Sequence, residues 1–221
     1  ISRYNHEGLG FSGLLEQILD VEGDFRVRIS SIEPDRFNDH FFSLVGHPKL
    51  APHLHLCLQS GSDRILLQMR RMYSVKDYMK IVENVRKKDP LFNFTTDVIV
   101  GFPGETEQEF ADTMKLSKEV GFGHMHIFKY SVRQNTRAAR MPEQVNEKIK
   151  TERSRRMHEL AAKLQKDYRA AFDNTEQRIL VEKWENGMAS GYNGYYVPMQ
   201  FASENKKRNR FETVLARIKD F

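Results

Sequence analysis

The sequence predicts an α/β unit built on a parallel sheet, followed by a small all-β unit. Three observations predict it. Over roughly the first 140 residues, helix-period and strand-period segments alternate, the pattern of a parallel sheet with crossover helices. A long one-sided apolar stripe then covers 143–172, and beyond Asn174 the chain turns to short β-rich segments separated by Gly, Asn and charged turns. At 221 residues the chain can support two cores, since domains typically run to roughly 100 to 150 residues. The expected division is 1–142 for the α/β unit, 143–173 for a connecting helix and 174–221 for the β unit, most simply a barrel of about 50 residues.

Leu14, Leu15, Ile18 and Leu19 make the first helical face, and FRVRISSI from Phe25 is the first strand. Phe37, Phe41, Leu44 and Val45 recur at helical spacing after a Pro34-Asp35 start. HLHLCLQS from His53 is the second strand. Two short helices follow, one with Ile65, Leu66 and Met69 inward and one with Tyr78, Ile81, Val82 and Val85 inward, ending before Asp89-Pro90. NFTTDVIVG is the third strand, and Thr106 with Glu109 offers a capping box for a helix containing Phe110 and Met114. HMHIFKYS is the fourth strand. The connecting helix runs from Glu143 to about Phe172, with Ile149, Met157, Leu160, Leu164, Tyr168 and Phe172 on one stripe. QRILVEKW, GYYVPMQF and ETVLARI are the strands of the β unit.

With 39% hydrophobic and 29% charged residues, the composition is that of an ordinary globular chain rather than a disordered one. No apolar run approaches the roughly 20 residues a spanning helix needs. The opening residues lack the basic start and apolar centre of a signal peptide, so a cytoplasmic protein without a membrane partner is expected. A monomer is the expected state. The net charge of +5 suits a polyanionic partner without demanding one. One cysteine, Cys57, excludes an internal disulfide and cannot by itself hold an iron–sulfur cluster.

All four strands of the first unit end in small or polar residues: Ser30, Ser31 and Glu33; Gln59 to Ser62; Gly101 to Glu105; Tyr130 to Arg133. Ligands of parallel sheets lie at the strand C-terminal ends, so these clusters are expected to line one mouth. In LQSGSD, Gly61 permits close backbone approach and Ser62 can cap the next helix; Gln59, Ser60 and free amides there could hold a carboxylate or ribose hydroxyls. A plain strand-to-helix turn explains the same residues. VIVGFPGE implies a buried strand followed by backbone lying close to something, either a ligand or the core. Phe128 and Tyr130 share a strand face and could pack on an adenine, or could be core aromatics. His53 and His55 also share a face, but with no third ligand evident no metal site is expected, and Cys57 reads as a small core hydrophobe. The basic blocks, RSRR at 153–156 among them, each suit a solvated face. KKRNR at 206–210, beside Tyr192, Tyr195 and Tyr196, mixes cations and stackable rings in a way that suits RNA.

Whole phrases, namely RISSIEP, HLHLCLQSGSDRILLQMRRMYS, TTDVIVGFPGETEQEF and HIFKYSVRQNTRAARMPEQV, together with the β-rich tail, resemble the radical-SAM methylthiotransferase family. The resemblance spans nearly all of the chain. It implies a partial TIM-like radical-SAM barrel followed by a small all-β TRAM barrel that binds RNA. Family members resemble three modules in series, the first with its own cluster and the second with a C-x-x-x-C-x-x-C loop. Neither is in this sequence, and the chain alone is expected to be inactive. In the family, a reduced 4Fe-4S cluster cleaves S-adenosylmethionine to a 5′-deoxyadenosyl radical, and sulfur from a second cluster is installed as a methylthio group. By resemblance, Gln59, Ser60, Ser62 and Arg70 would contact the ribose or methionine carboxylate of S-adenosylmethionine, and Asp97 to Gly101 with Phe128 and Tyr130 would flank its adenine. Tyr195, Lys206, Lys207, Arg208 and Arg210 would face tRNA. RISSIEP looks most like the branch acting on threonylcarbamoyladenosine of tRNA, beside the anticodon. Sibling branches act on isopentenyladenosine in tRNA or on an aspartate of a ribosomal protein. A non-catalytic RNA-binding module is the competing class. A methyltransferase without radical chemistry is disfavoured, because no Gly-rich loop follows a first strand.

Overall fold

In the computed structural model, residues 2, 4–35 and 37–217 are described. The chain opens on a hairpin absent from the sequence expectations, β1 (Asn5–His6) and β2 (Leu9–Gly10). Its turn places Glu7 and Gly8 both at positive φ, the tight geometry that closes two-residue hairpins. Helix α1 (Phe11–Asp20) follows and packs Leu15 and Leu19 inward.

The first sheet has four parallel strands in sequence order: β3 (Val27–Ile32), β4 (Leu50–Leu56), β5 (Asn93–Val100) and β6 (His124–Lys129). Helices connect them: α2 (Asp39–Leu44), then α3 (Asp63–Gln68) with α4 (Val75–Arg86), then α5 (Glu107–Val120). Strands that neighbour in sequence order, each reached by a helical crossover of one hand, put every helix on one face and curve the sheet as part of a barrel. Leu54, Leu56, Leu58, Phe94, Val98 and Val100 are buried on the helix face. The alternate positions, among them His53, His55, Thr95 and Asp97, face a polar cavity.

The helix starts follow from local side chains. Ser74 with Asp77 and Thr106 with Glu109 form capping boxes, and Ser62 and Asn38 cap through one bond each. Helix α5 stops at Gly121, which takes the left-handed conformation at φ 62.

Helix α6 (Glu147–Ala170) begins four residues later than the apolar stripe suggests, because Glu143 sits at positive φ and Asn146 supplies the cap. Its buried face also differs. Met157, Leu160 and Phe172 are buried as expected, but Ile149 is largely exposed. The N-terminal half of the face is instead Lys150 and Arg153, so the RSRR block is not simply a solvated face. Lys150 Nζ donates to Tyr130 O (3.1 Å) and Glu147 (2.6 Å), and Arg153 Nη1 meets Glu105 Oε2 at 2.8 Å.

The second unit is an antiparallel four-stranded sheet of β7 (Glu176–Glu185), β8 (Met188–Tyr192), β9 (Pro198–Ala202) and β10 (Arg210–Leu215), in the order β10-β7-β8-β9. No pairing of β9 with β10 occurs among the described residues. Strand β8 was not expected, since Met-Ala-Ser-Gly-Tyr has no β-branched residue. The signal for it is the Asn186-Gly187 turn, with both residues at positive φ, joining it to β7. A register shift at Glu182 bends β7 where Gly191 lies directly against Leu180 O, leaving no room for a Cβ.

The two units meet at the N-terminal edge of the parallel sheet. Asn93 Nδ2 donates to Tyr195 O (2.7 Å), and Tyr195 packs on Phe172. Arg28 lies over the Tyr196 ring at 4.0 Å, and Arg26 donates to Tyr192 O and Arg178 O.

Candidate active site

The polar face of the parallel sheet and the edge of the β unit enclose a cavity of about 480 Å³. Its floor is a chain of hydrogen bonds. Asp97 Oδ1 lies 3.3 Å from His55 Nε2, His55 Nδ1 is 3.0 Å from Thr95 Oγ1, and Thr95 Oγ1 is 3.1 Å from His53 Nε2. A single polarity satisfies every link: His55 Nε2–H donates to Asp97, Thr95 O–H donates to His55 Nδ1, and His53 Nε2–H donates to Thr95. This polarity leaves only the buried Nδ1 of His53 without a partner, as an acceptor rather than a stranded donor.

Burial, with help from Arg28 and His55, drives His53 down to about 3, and burial also lowers His55 and His124. His53 is therefore neutral when folded and binds a proton more readily when unfolded. The sign follows: its contribution is complete above pH 6.5 and is lost as pH falls below that value. Unfolding free energy is expected to drop by about 2 kcal/mol from His53 alone between pH 7.5 and 5. Denaturant melts at the two pH values check this; an equal slope in His53→Gln would assign the effect to His55 and His124 instead.

The C-terminal mouth is organised by Glu109, known from the sequence only as a helix cap, and by Arg64. Glu109 accepts from Ser62 Oγ (2.9 Å), from the Thr106 backbone N–H and from Arg64 in bidentate fashion (2.7 and 2.6 Å). Partial burial would raise its pKa, but these donors outweigh burial and hold it at about 2. Arg64 also donates to Gly104 O, so Glu109 and Arg64 tie the LQSGSD loop to the FPGE loop. The only signal for this hub was the capping-box spacing.

Gln59 is buried at positive φ, and its backbone forms an isolated bridge with β5, donating to Asp97 O and accepting from Ile99. Ser60 is buried and its hydroxyl accepts from Ser62 N. Ser62 Oγ is committed to the helix cap and to Glu109. Gly61 is pressed against Thr113 of α5, and Gly101, at φ 73, against the aliphatic stem of Lys150. The close approaches foreseen at these two glycines are thus to the protein itself. Arg70 is exposed beside Glu33 and Arg71, which pair with each other. Phe128 presents half its surface, whereas Tyr130 packs edge-on against Phe102 at 5.3 Å with its hydroxyl buried and unpaired. Asp97 and Phe128 therefore stand on the cavity face, and Tyr130 turns away towards Phe102.

His53 Nε2 and His55 Nδ1 converge on the Thr95 hydroxyl rather than on a third metal-ligand atom. One ligand atom each from His55, Cys57 and Asp97 also lie within 4.8 Å of one another. The Cys57 thiol is pushed up to about 11 by burial and by Asp97 and Glu33, so it is a protonated, core-like group there.

In the β unit, Lys206, Lys207 and Arg208 are exposed, Lys206 lying over the Trp184 ring at 5.5 Å. Arg210 is different: it bonds Ser203, Asn205 O and Glu212 and braces the β9–β10 connection. Tyr195 is held at the junction against Phe172, away from these cations.

A family model described as the radical SAM superfamily matches residues 9–117. Among curated proteins, the threonylcarbamoyladenosine tRNA methylthiotransferase MtaB of Thermotoga maritima is 42% identical over 88% of this chain and 45% of its own length. The tRNA-2-methylthio-N(6)-dimethylallyladenosine synthase of Thermobifida fusca is 44% identical over 79% of this chain and 36% of its own. The chain thus spans under half the length of these relatives. Among solved structures, coproporphyrinogen III oxidase of Escherichia coli, a radical SAM enzyme, superposes with a TM-score of 0.53 at 14% identity, covering 69% of this chain and 37% of that one, a likeness of fold. With a partial-barrel sheet of the radical-SAM kind, and with relatives of two methylthiotransferase branches matching across most of its residues, the chain belongs to the radical-SAM methylthiotransferase family.

Proposed function

We propose that the protein carrying this chain installs a methylthio group on threonylcarbamoyladenosine of tRNA, beside the anticodon. The observation that carries the reading is the polar cavity of the parallel sheet, lined by Asp97, His55 and Thr95 on the face that Phe128 shares by strand alternation, combined with the likeness to MtaB. Phe128 offers a free ring face for an adenine, and Arg70 an exposed guanidinium for a carboxylate of S-adenosylmethionine. Gln59 shapes the adjoining loop through its backbone bridge to β5, Ser60 through its hydroxyl, which accepts from Ser62 N–H, and Ser62 through Glu109. These 221 residues do not fit an iron–sulfur cluster: they hold one thiol, and Cys57 is buried. The chain alone is therefore expected to lack activity. In cells the reaction belongs in the cytoplasm, with tRNA.

Nucleosides from cells with and without the intact gene, separated by mass spectrometry, test the reading. Loss of 2-methylthio-threonylcarbamoyladenosine on deletion supports it. Loss of the 2-methylthio-dimethylallyl species would move the protein to the branch of the Thermobifida fusca relative. An unchanged profile, with no iron or sulfide in the anaerobically purified protein, would favour a non-catalytic RNA-binding module.

The tail is read as a phosphate-facing surface, with the cations divided by their packing. Neutralising Lys206, Lys207 and Arg208 together to Gln is expected to weaken tRNA binding and to reduce the slope of log affinity against log salt by about 2 to 3. Arg210→Gln is expected to act mainly on stability, because its partners are Ser203, Asn205 O and Glu212. Filter binding across a salt series checks both; an unchanged slope in the triple variant removes this loop from the interface.

A further inference from the structure

The charge of the cavity has a direction. Two guanidinium groups, Arg28 and Arg169, and four imidazoles, His53, His55, His124 and His126, line it against a single carboxylate, Asp97. That carboxylate is occupied by His55. His53 is committed to Thr95, and His124 Nδ1 to Gln165 at 3.0 Å. Arg28 rests on the Tyr196 ring and has no ion-pair partner among the described residues. Arg169, half-buried on α6, has neither a ring nor an ion-pair partner among them, and burial pulls its guanidinium pKa down. A half-buried guanidinium without an acceptor is costly, and the group that relieves it is an anion. The remaining wall offers the hydroxyls of Ser30, Ser31 and Thr95 and the amide of Asn93. Apolar surface is confined to Val197, Pro198 and the rings of Tyr192 and Tyr196 at the β-unit edge.

We propose that this cavity receives the N6 substituent of the target adenosine and selects one that ends in a carboxylate, with Arg169 and Arg28 as the cationic partners. The proposal rests on the tRNA-modifying reading above. It gives that reading a physical basis for its branch: a threonylcarbamoyl arm carries a carboxylate, a hydroxyl and N–H groups that this wall can pair, whereas a dimethylallyl arm offers Arg169 and Arg28 no anion. Arg169 is the cleaner of the two to test, because Arg28 also joins the two units through Tyr196.

The experiment measures binding of the intact, anaerobically purified protein to three anticodon stem-loops. One bears threonylcarbamoyladenosine, one its carboxamide analogue and one unmodified adenosine at the same position. The acid is expected to bind at least about tenfold more tightly than the amide, the range of one charge-assisted hydrogen bond. Arg169→Gln is expected to reduce that ratio to within about threefold while leaving the affinity for the unmodified stem-loop unchanged. Equal binding of acid and amide by the native protein, both above the unmodified stem-loop, would overturn the proposal and leave the tRNA reading standing. No preference for either modified stem-loop would overturn both. S-adenosylmethionine also carries a carboxylate, so its affinity is measured in parallel. A loss confined to S-adenosylmethionine in Arg169→Gln, with acid-over-amide preference intact, would assign the arginine to the cofactor and sink the proposal.

Discussion

Replacing Glu105 with Gln is expected to lower the unfolding free energy by about 3 kcal/mol. The Glu105 side chain is 1% exposed and that of Arg153 6%, with 2.8 Å between them. Arg153 Nη1 also donates to Glu105 O, and Glu105 Oε2 accepts from the Gly101 N–H at 2.7 Å. Burial pushes the Glu105 carboxyl above its usual range despite these donors, a sign that the pair sits in a weakly solvated place. Removing one charge leaves the other buried, with the outlying Glu107, at 3.4 Å, the remaining carboxylate beside it among the described residues. The double variant Glu105→Gln with Arg153→Met removes the stranded cation and is expected to recover at least half of the loss, since matched apolar replacements of buried pairs are often close to neutral. Guanidinium unfolding of the three variants checks this. A single-variant loss below 1 kcal/mol would mean that water reaches the pair and that the other contacts of α6, Met157 and Leu160 among them, hold it to the sheet.

That pair also marks where the sequence stops being legible. The parallel unit could be read because its cues are local: alternation along β4 and β5, the helical spacing of Tyr78, Ile81, Val82 and Val85, and the capping box at Thr106. Lys150 and Arg153 could not, because a buried charge and a solvated one look alike until the partner is known, and Glu105 is 48 residues away. Strand β8 was hidden by its small residues, although the Asn186-Gly187 turn announced a hairpin.

The candidate site divides in the same way. Side-chain types at the strand ends single those residues out in the sequence, but type alone does not say what they touch. Ser62 and Gly101 serve the protein's own packing, Asp97 lines the cavity and Phe128 is half exposed on the same strand face. The hydrogen-bonded line from Asp97 to His53 needs the β4–β5 register, which pairs His53 with Asn93 and His55 with Thr95. Periodicity fixes which face each residue takes, not which residue it meets across the strands.

Gly61→Ala separates the two readings of the LQSGSD loop, and it is expected to cost about 3 kcal/mol with no ligand present, the upper part of the range for overpacking. A Cβ at this position would stand 2.6 Å from Thr113 Cα, 2.9 Å from Thr113 N and 3.0 Å from Asp112 O. All three are backbone atoms of α5, which cannot swing aside as a side-chain tip would. The same loop–helix contact carries a hydrogen bond, Gly61 N–H to Thr113 Oγ1 at 2.9 Å, and that hydroxyl is itself bonded to Glu109 O. Pushing the loop away breaks this bond and strains the Ser62–Glu109 contact beside it. If the glycine were there to admit a ligand, the alanine variant would melt like the native protein and fail only in binding S-adenosylmethionine. Denaturant unfolding without ligand, set beside equilibrium dialysis of S-adenosylmethionine on the intact protein, distinguishes the cases. Native stability with lost binding would return Gly61 to the ligand; lost stability keeps it as the point where the second strand's loop is seated on α5.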